Sequence, residues 1–93
     1  MPRVTLTGRL LCTARDLPLV ERLLPEHIRL SRAEPGCLRF EVIRSPKDPL
    51  IYEVSEAFAS RAAFEAHQAR GSASEWGRRT AHIVREFTVK EAG

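Results

Sequence analysis

The segment Glu34–Val42 constrains the fold of this chain more than any other part. Pro35 predicts the end of a preceding helix, because the residue before a proline avoids the α region. Gly36 can adopt the positive φ that a tight turn requires. Apolar residues then alternate with other residues, which predicts a strand with three core-facing side chains: Leu38, Phe40 and Val42. We expect this junction to be scaffold, with the reacting groups elsewhere in the chain.

Hydrophobic periodicity predicts three more strands and the first helix. Period-two alternation predicts strands at Val4–Cys12, Leu50–Phe58 and His82–Val89. Within the first of these, Gly8 marks a bulge or a close approach of another backbone. Spacings of three and four predict a helix that Asp16 caps and that Pro35 ends. Pro25 should kink this helix, because it removes one backbone hydrogen bond.

Cap signals predict two short helices in the second half of the chain. Ser60 is the expected N-cap of the first of them, and Gly71 its expected end. Ser72–Glu75 matches a capping box and predicts the start of the other, which contains Trp76. The resulting order of elements is β-α-β-β-α-α-β.

This order predicts an α+β, ferredoxin-like fold with one antiparallel sheet and helices on one face. Residues 1–93 are expected to form a single domain, because domains usually contain roughly 100–150 residues. Neighbouring residues on the strands are apolar on both faces, as Leu10 and Leu11 are, and Val42 and Ile43. The helices cover only one face, so we expect a second copy of the chain to cover the other, as a homodimer.

Charge and cysteine usage argue against several classes of protein. The net charge is +3, but the basic residues are scattered among twelve acidic ones, which disfavours a nucleic-acid-binding stripe. We see no signal peptide and no run of roughly 20 apolar residues, so we expect a cytoplasmic protein that does not insert into membranes. Cys12 and Cys37 have no metal-ligand spacing, and we expect small, buried, apolar side chains and no metal.

Three segments resemble the antibiotic biosynthesis monooxygenase (ABM) family: Glu34–Val42, the turn at Asp48-Pro49, and Ser60–His67. The last is similar to that family's second helix, with its Ala-Ala-Leu/Phe-x-x-His pattern. The resemblance extends from Val4 to Val89. It implies a dimeric α+β barrel with a pocket between sheet and helices, and oxidation of phenolic or quinol-like aromatics by O2 without metal or flavin.

The resemblance, with the chemistry of the side chains, yields candidate site residues. Cofactor-free oxygenation needs a base, a flat apolar wall and a group that stabilises an anion. His67 aligns with the family's helical histidine and is the candidate base. The candidates for the other roles are Trp76 and Phe64 as walls, and Tyr52, Arg44 or Arg85 as partners of the anion. Each of these residues also has a purely structural interpretation.

Two further histidines and one alternative function stay open at this level. His27 lies either at the mouth of the pocket or, as we rather expect, in solvent, and His82 has no supporting pattern. The haem-degrading branch of the fold carries an iron-binding histidine near the third helix, where this chain has Ser72–Glu75, so we expect no haem. The resemblance therefore implies a monooxygenase acting on a small aromatic phenol, quinol or anthrone-like compound. The alternative is a non-catalytic dimeric module that binds a small ligand or a partner.

Overall fold

The computed structural model describes residues 2–92 of the protein. Four strands and three helices follow one another in the predicted order. Their bounds are β1 (Val4–Leu11), α1 (Leu17–Arg32), β2 (Cys37–Arg44), β3 (Ile51–Phe58), α2 (Arg61–Ala73), α3 (Glu75–Arg79) and β4 (Val84–Glu91). The last strand thus begins two residues later than the alternation at His82 predicted.

The strands form one antiparallel sheet in the order β2-β3-β1-β4. The helices pack on one face of this sheet, which confirms the ferredoxin-like α+β fold. The apolar core lies between the two layers and includes Leu6, Val20, Val54 and Phe58. None of the helices within residues 2–92 is long and apolar enough to cross a membrane.

The junction between α1 and β2 has the predicted turn, and Phe40 and Val42 face inward as predicted, but Leu38 does not. Gly36 has a φ of +83°, which confirms the need for glycine in this turn. Cys37 pairs with Phe58 and Arg39 with Ala57, so Leu38 is an additional residue in β2. Such a bulge reverses the alternation of side chains. The prediction that Leu38 faces the core is therefore wrong, and its side chain is 51% exposed.

The first helix differs from the prediction at its start. Asp16 occupies the N-cap position, but its side chain caps no backbone N–H of α1. Its carboxylate instead accepts hydrogen bonds from the backbone N and Oγ1 of Thr13, and lies 2.7 Å from His82 Nε2. These contacts join the β1–α1 turn to the segment before β4. The helix continues through Pro25 to Arg32 as one element.

The second and third helices meet through two glycines. Ser60 caps α2 by accepting a hydrogen bond from Ala63 N, as predicted. Gly71 does not end this helix, which continues to Ala73. The N-cap of α3 is Ser74, which accepts from Gly77 N, so the predicted capping box at Ser72 is wrong. A Cβ at Gly77 would lie 2.0 Å from Gly71 O, so α3 requires glycine at position 77 to approach α2 this closely.

The uncovered face of the sheet carries apolar side chains at one end. Val84 pairs with Leu11, and Leu11 pairs with Ile51, so these three lie in one row across three strands. Val84 is 57% exposed, and Ile43, on the edge strand β2, is 59% exposed. No other element within the described residues of the chain packs on these apolar side chains.

We predict that Gly8→Ala destabilises the fold strongly. A Cβ at Gly8 would lie 1.9 Å from the backbone oxygen of Glu86, so β1 and β4 would have to separate. We expect the free energy of unfolding in urea to fall by about 2–4 kcal/mol. Gly71→Ala is the matched control, because a Cβ there meets only His27 Cε1, at 3.7 Å. It should be neutral or stabilise by up to about 1 kcal/mol. Equal losses in both variants would contradict this interpretation of Gly8.

Candidate active site

A cavity of about 460 Å³ lies between the inner face of the sheet and the helices. Aromatic and aliphatic side chains form most of its wall, among them Phe40, Val54, Trp76 and Phe87. Five side chains with ionisable groups also reach it: His27, Glu56, His67, Arg85 and, from the exposed side of α3, Arg78. An apolar cavity with a few converging polar groups is the usual form of a small-molecule site.

His67 is held in one orientation inside the protein. Its side chain, on α2, is 5% exposed, and its ring packs against Phe58 and Phe40 at centroid distances of 4.9 and 5.2 Å. Its Nδ1 lies 2.7 Å from Glu34 Oε1. An ionised carboxylate can only accept hydrogen bonds, so we assign the proton of the neutral ring to Nδ1. Nε2 is then a free acceptor at the cavity.

Glu34 connects three segments of the chain around this histidine. Its second carboxylate oxygen accepts a hydrogen bond from Arg70 Nε, on α2. Arg70 Nη2 donates to Ser31 Oγ at 2.8 Å, and Ser31 Oγ donates to the backbone oxygen of His27 at 2.7 Å. The carboxylate of Glu34 thereby joins α1 to α2, and Arg70 fixes it on the side away from His67.

Burial lowers the pKa of His67 below its usual value, and the hydrogen bond to Glu34 opposes this shift only in part. The imidazole is therefore neutral at neutral pH. A neutral ring with Nδ1–H donated to a carboxylate is the form in which histidine accepts a proton at Nε2.

Glu56 is the second ionisable group at the same place. It lies on the inner face of β3 and is 5% exposed. Its Oε1 has no hydrogen-bond partner within residues 2–92, although it is buried. His67 Nε2 lies 3.6 Å away, beyond the roughly 2.7–3.2 Å of a hydrogen bond. Burial, followed by the negative charge of Glu34, raises the pKa of Glu56 to about 7.

Stacked rings form one wall of the cavity. His27 lies parallel to Trp76, with centroids 5.1 Å apart and 15° between the planes, and its ring meets Phe40 edge-on. The expected solvent exposure of His27 is wrong, since only 7% of the residue is exposed. Burial, followed by the charge of Arg70, lowers the pKa of His27 to about 3. A neutral imidazole therefore adds to the flat wall that Trp76 provides.

Arg85 supplies a positive charge at the cavity. Its guanidinium is half-buried and donates to Thr80 O, Thr80 Oγ1 and Ile83 O, at 2.7, 2.9 and 3.1 Å. These bonds fix the group between the end of α3 and β4. Burial lowers the pKa of Arg85.

The structure brings together only some of the predicted site residues. His67, Trp76, His27 and Arg85 line the cavity, whereas Tyr52, Phe64 and Arg44 do not. Tyr52 is buried under the guanidinium of Arg44, 5.6 Å from its ring centroid, and Arg44 is also paired with Glu21. Phe64 packs on Phe58 in the core. Tyr52 is buried near the start of β3, and Arg44 is exposed at the end of β2, so neither lines the cavity at His67.

Comparison with known families identifies the scaffold. The sequence matches the profile of the family described as antibiotic biosynthesis monooxygenase over residues 16–79, which is more than half of the chain. The chain belongs to the ABM family. The match includes the α1–β2 junction, α2 and α3, and hence Glu34, His67 and Trp76.

Several solved structures share the fold of this ABM protein. One is a candidate antibiotic biosynthesis monooxygenase from Deinococcus radiodurans, with a TM-score of 0.83, 24% identity, and 97% of this chain and 92% of that chain covered. Another, from Nitrosomonas europaea, has a TM-score of 0.81 and 18% identity, covering 98% of this chain and 88% of that one. At these identities the likeness concerns the fold. The comparison with curated protein sequences gave no match.

The site of this ABM protein contains two residues to which sequence reasoning assigned no role. Glu56 shares a face of β3 with Val54 and Phe58, so the alternation already placed a carboxyl among apolar side chains. Its lack of a partner is a property of the folded chain. Glu34 lies 33 positions before His67, and no local pattern links the two. The junction that we expected to be scaffold thus also supplies Glu34 to the site, and Phe40 and Val42 to the cavity wall.

Neither cysteine belongs to this site. Cys12 is buried, Cys37 is half-buried, and both are free thiols. Burial raises the pKa of each thiol, so both are protonated at neutral pH. Within residues 2–92 no group of three or more His, Cys, Asp or Glu side chains is placed to hold a metal ion.

We predict that Glu56→Gln makes the fold more stable in alkaline solution. The pKa of Glu56 rises from 4.5 to about 7 on folding, so the folded chain binds more protons than the unfolded chain in this window. The free energy of unfolding therefore falls as the pH rises from 4.5 to about 7. The amide cannot ionise, so near pH 8 the variant should be more stable by up to about 3 kcal/mol.

Urea denaturation at a series of pH values measures this difference. Near pH 4 the two proteins should differ little, because Glu56 is protonated in both states. Glu53→Gln is the matched control, since this exposed carboxyl lies on the same strand but on the other face. A Glu56→Gln variant that is less stable than the wild type near pH 8 would contradict the assigned ionisation.

Proposed function

We propose that this ABM protein is a monooxygenase that oxidises a small planar aromatic compound, such as a phenol, quinol or anthrone, with O2 and without a cofactor. The observation that carries the proposal is the buried pair of His67 Nε2 and Glu56 Oε1, two proton acceptors that face each other at an apolar cavity. Family membership supports the type of reaction. The size of the cavity, about 460 Å³, supports a small substrate.

The reaction requires that the substrate itself reduces O2. Loss of a hydroxyl or activated C–H proton gives an aromatic anion, which donates one electron to O2. The resulting radical and superoxide combine at carbon, and the hydroperoxide that forms loses water. One oxygen atom remains in the product as a carbonyl, and the other leaves as water with the two hydrogens of the substrate. The protein must therefore remove a proton, stabilise the anion and keep the ring in place.

The cavity residues divide between these tasks. The His67–Glu56 pair removes the proton, and Arg85 stabilises the negative charge, because a fixed cation in a dry site acts strongly on a nearby anion. The stacked rings of His27 and Trp76 form a flat surface against which an aromatic substrate packs. Tyr52, Phe64 and Arg44 do not line the cavity, so we assign them a structural role only.

We also propose that two chains pair face to face through the uncovered side of the sheet. Support comes from the row formed by Val84, Leu11 and Ile51, together with exposed Ile43. Two apolar sheet faces of this kind pack about 10 Å apart and bury each other. The dimeric barrel implied by the family resemblance has the same arrangement.

We propose one domain, residues 1–93, that acts in the cytoplasm. The sheet and helices share one continuous apolar core, which supports the single domain. Cys12 and Cys37 are free thiols, the state that a reducing compartment maintains.

We predict that His67→Ala abolishes oxygenation. Consumption of O2 would be followed with a panel of anthrones and hydroquinones, in the presence of a chelator and without added flavin. Disruption of the His67–Glu56 pair should lower kcat by roughly 10²–10⁴-fold, the usual contribution of general acid–base catalysis. The matched control is His82→Ala, because His82 is an exposed histidine outside the cavity. His67→Gln keeps a polar side chain in case the smaller residue disturbs the fold.

Two outcomes would contradict the proposal. Loss of activity on addition of a chelator would indicate a metal-dependent reaction. Absence of O2 consumption with every panel compound, together with tight binding of one of them, would favour the alternative, a non-catalytic ligand-binding module of the same fold.

We predict that Ile43→Asp combined with Val84→Asp separates the dimer. A charge buried between two packed sheet faces remains unpaired and opposes association. Sedimentation should show twice the chain mass of 10.5 kDa for the wild type and a single chain for the variant. Val89→Asp is the control, because Val89 is 42% exposed and pairs with Leu6 on the other face. A monomeric wild type at micromolar concentration would refute the interface.

A further inference from the structure

We propose that Glu56, and not His67, receives the proton of the substrate, and that the substrate binds through a hydroxyl group placed between Glu56 Oε1 and His67 Nε2. This inference rests on the proposed oxygenase function and assigns the residue that begins its reaction. His67 is then a positioning residue, whose free Nε2 shares the hydroxyl hydrogen with Glu56 Oε1 in a three-centre hydrogen bond.

The two acceptor atoms leave a place for one donor. His67 Nε2 and Glu56 Oε1 are 3.6 Å apart and make no hydrogen bond to each other. Nδ1–H is already donated to Glu34, so the neutral ring has no second proton to offer at Nε2. Glu56 Oε1 has no donor among the described residues, which is costly for a buried carboxyl oxygen. A substrate hydroxyl group at the cavity end of the pair can donate a hydrogen bond to this oxygen. The substrate we propose is therefore a phenol or an enol.

The surroundings of the two groups favour Glu56 as the acceptor. A proton on Nε2 would make a buried cation of a ring enclosed by Phe58 and Phe40, and burial already disfavours that form. A proton on Glu56 removes a buried negative charge. Burial raises the pKa of this carboxyl to about 7, so its ionised form is a much stronger base than an ordinary glutamate.

The charged and titratable groups around Glu56 and its cavity come from five parts of the fold. They are His67 and Arg70 on α2, Glu34 in the turn before β2, His27 on α1, Arg78 on α3 and Arg85 on β4. The negative charge of Glu34 disfavours ionisation of Glu56, and Arg70 offsets part of that charge. His27 is neutral, so two cations remain at the cavity: exposed Arg78, and half-buried Arg85, which we assign to the developing substrate anion.

The proton transfer is balanced without any further reactant. The O–H bond of the substrate breaks, its electron pair stays on the substrate oxygen, and a new O–H bond forms at Glu56 Oε1. The products of this step are a phenolate or enolate and a neutral carboxylic acid. The acid then donates back to the substrate oxygen, and the anion is ready to reduce O2.

Infrared spectroscopy of the protein with ¹³C-labelled glutamate observes this proton directly. The band of the protonated Glu56 carboxyl is identified by its absence from Glu56→Gln. In the free protein this band should disappear as the pH rises through about 7. Adding 4-nitrophenol near pH 8 should restore it, because the complex holds one proton, on Glu56. The methyl ether 4-nitroanisole has no hydroxyl group and should leave the spectrum unchanged.

Kinetics give a second readout. The kcat/KM for O2 consumption should rise with pH through about 7 as Glu56 ionises. Glu56→Gln should lower the rate at least about 100-fold and abolish this rise of kcat/KM with pH, the acid limb of the pH profile. His67→Gln should lower the rate but keep the limb, since the amide can still orient the hydroxyl group. Glu53→Gln, on the exposed face of the same strand, should change neither.

The possible results separate this inference from the oxygenase proposal. If phenol binding protonates Glu56 but no compound consumes O2, the assigned proton acceptor stands and the oxygenase proposal falls. If O2 is consumed and Glu56→Gln keeps the wild-type rate and pH profile, the assignment of Glu56 is overturned while the oxygenase stands. An unchanged carboxyl band on addition of 4-nitrophenol also overturns it.

Discussion

The carboxylate of Glu34 is the contact on which the rest of the site depends. One of its oxygens holds His67 Nδ1 at 2.7 Å, and the other accepts from Arg70. The α1–β2 turn is thereby attached to α2, and one proton is assigned to one nitrogen of a buried ring. Without this contact, His67 could rotate or carry its proton on the other nitrogen, and the acceptor at the cavity would be lost. The segment that defines the turn thus also defines the state of the histidine.

Burial determines the chemistry of the remaining groups. The same apolar walls that lower the pKa of His27 to about 3 raise the pKa of Glu56 to about 7. Both effects remove charge from the cavity and leave two arginines there, half-buried Arg85 and exposed Arg78. A planar molecule that enters therefore meets stacked neutral rings, two acceptors and the positive charge that the fold fixes at Arg85. This combination suits a phenol-like compound that must become an anion before it reacts.

Sequence reasoning succeeded where local geometry decides the outcome. Strand alternation, Pro35 and Gly36 correctly located most elements, because these signals follow from the backbone itself. Leu38 was assigned to the wrong face, since a bulge depends on how β2 pairs with β3. His27 was expected in solvent, but its stacking on Trp76 arises only when α1 and α3 pack together. Part of the site could be predicted: His67 came from the family resemblance and Trp76 from the need for a flat aromatic wall. The roles of Glu34 and Glu56 depend on contacts between distant positions.

The protonation of His67 is the central claim, and nitrogen NMR of the ¹⁵N-labelled protein tests it most directly. The two ring nitrogens have clearly different shifts when one is protonated and the other is not. At neutral pH we expect a neutral His67 with the proton on Nδ1, and Glu34→Gln should weaken this preference. A ring that is doubly protonated at neutral pH, or that carries its proton on Nε2, would contradict the account.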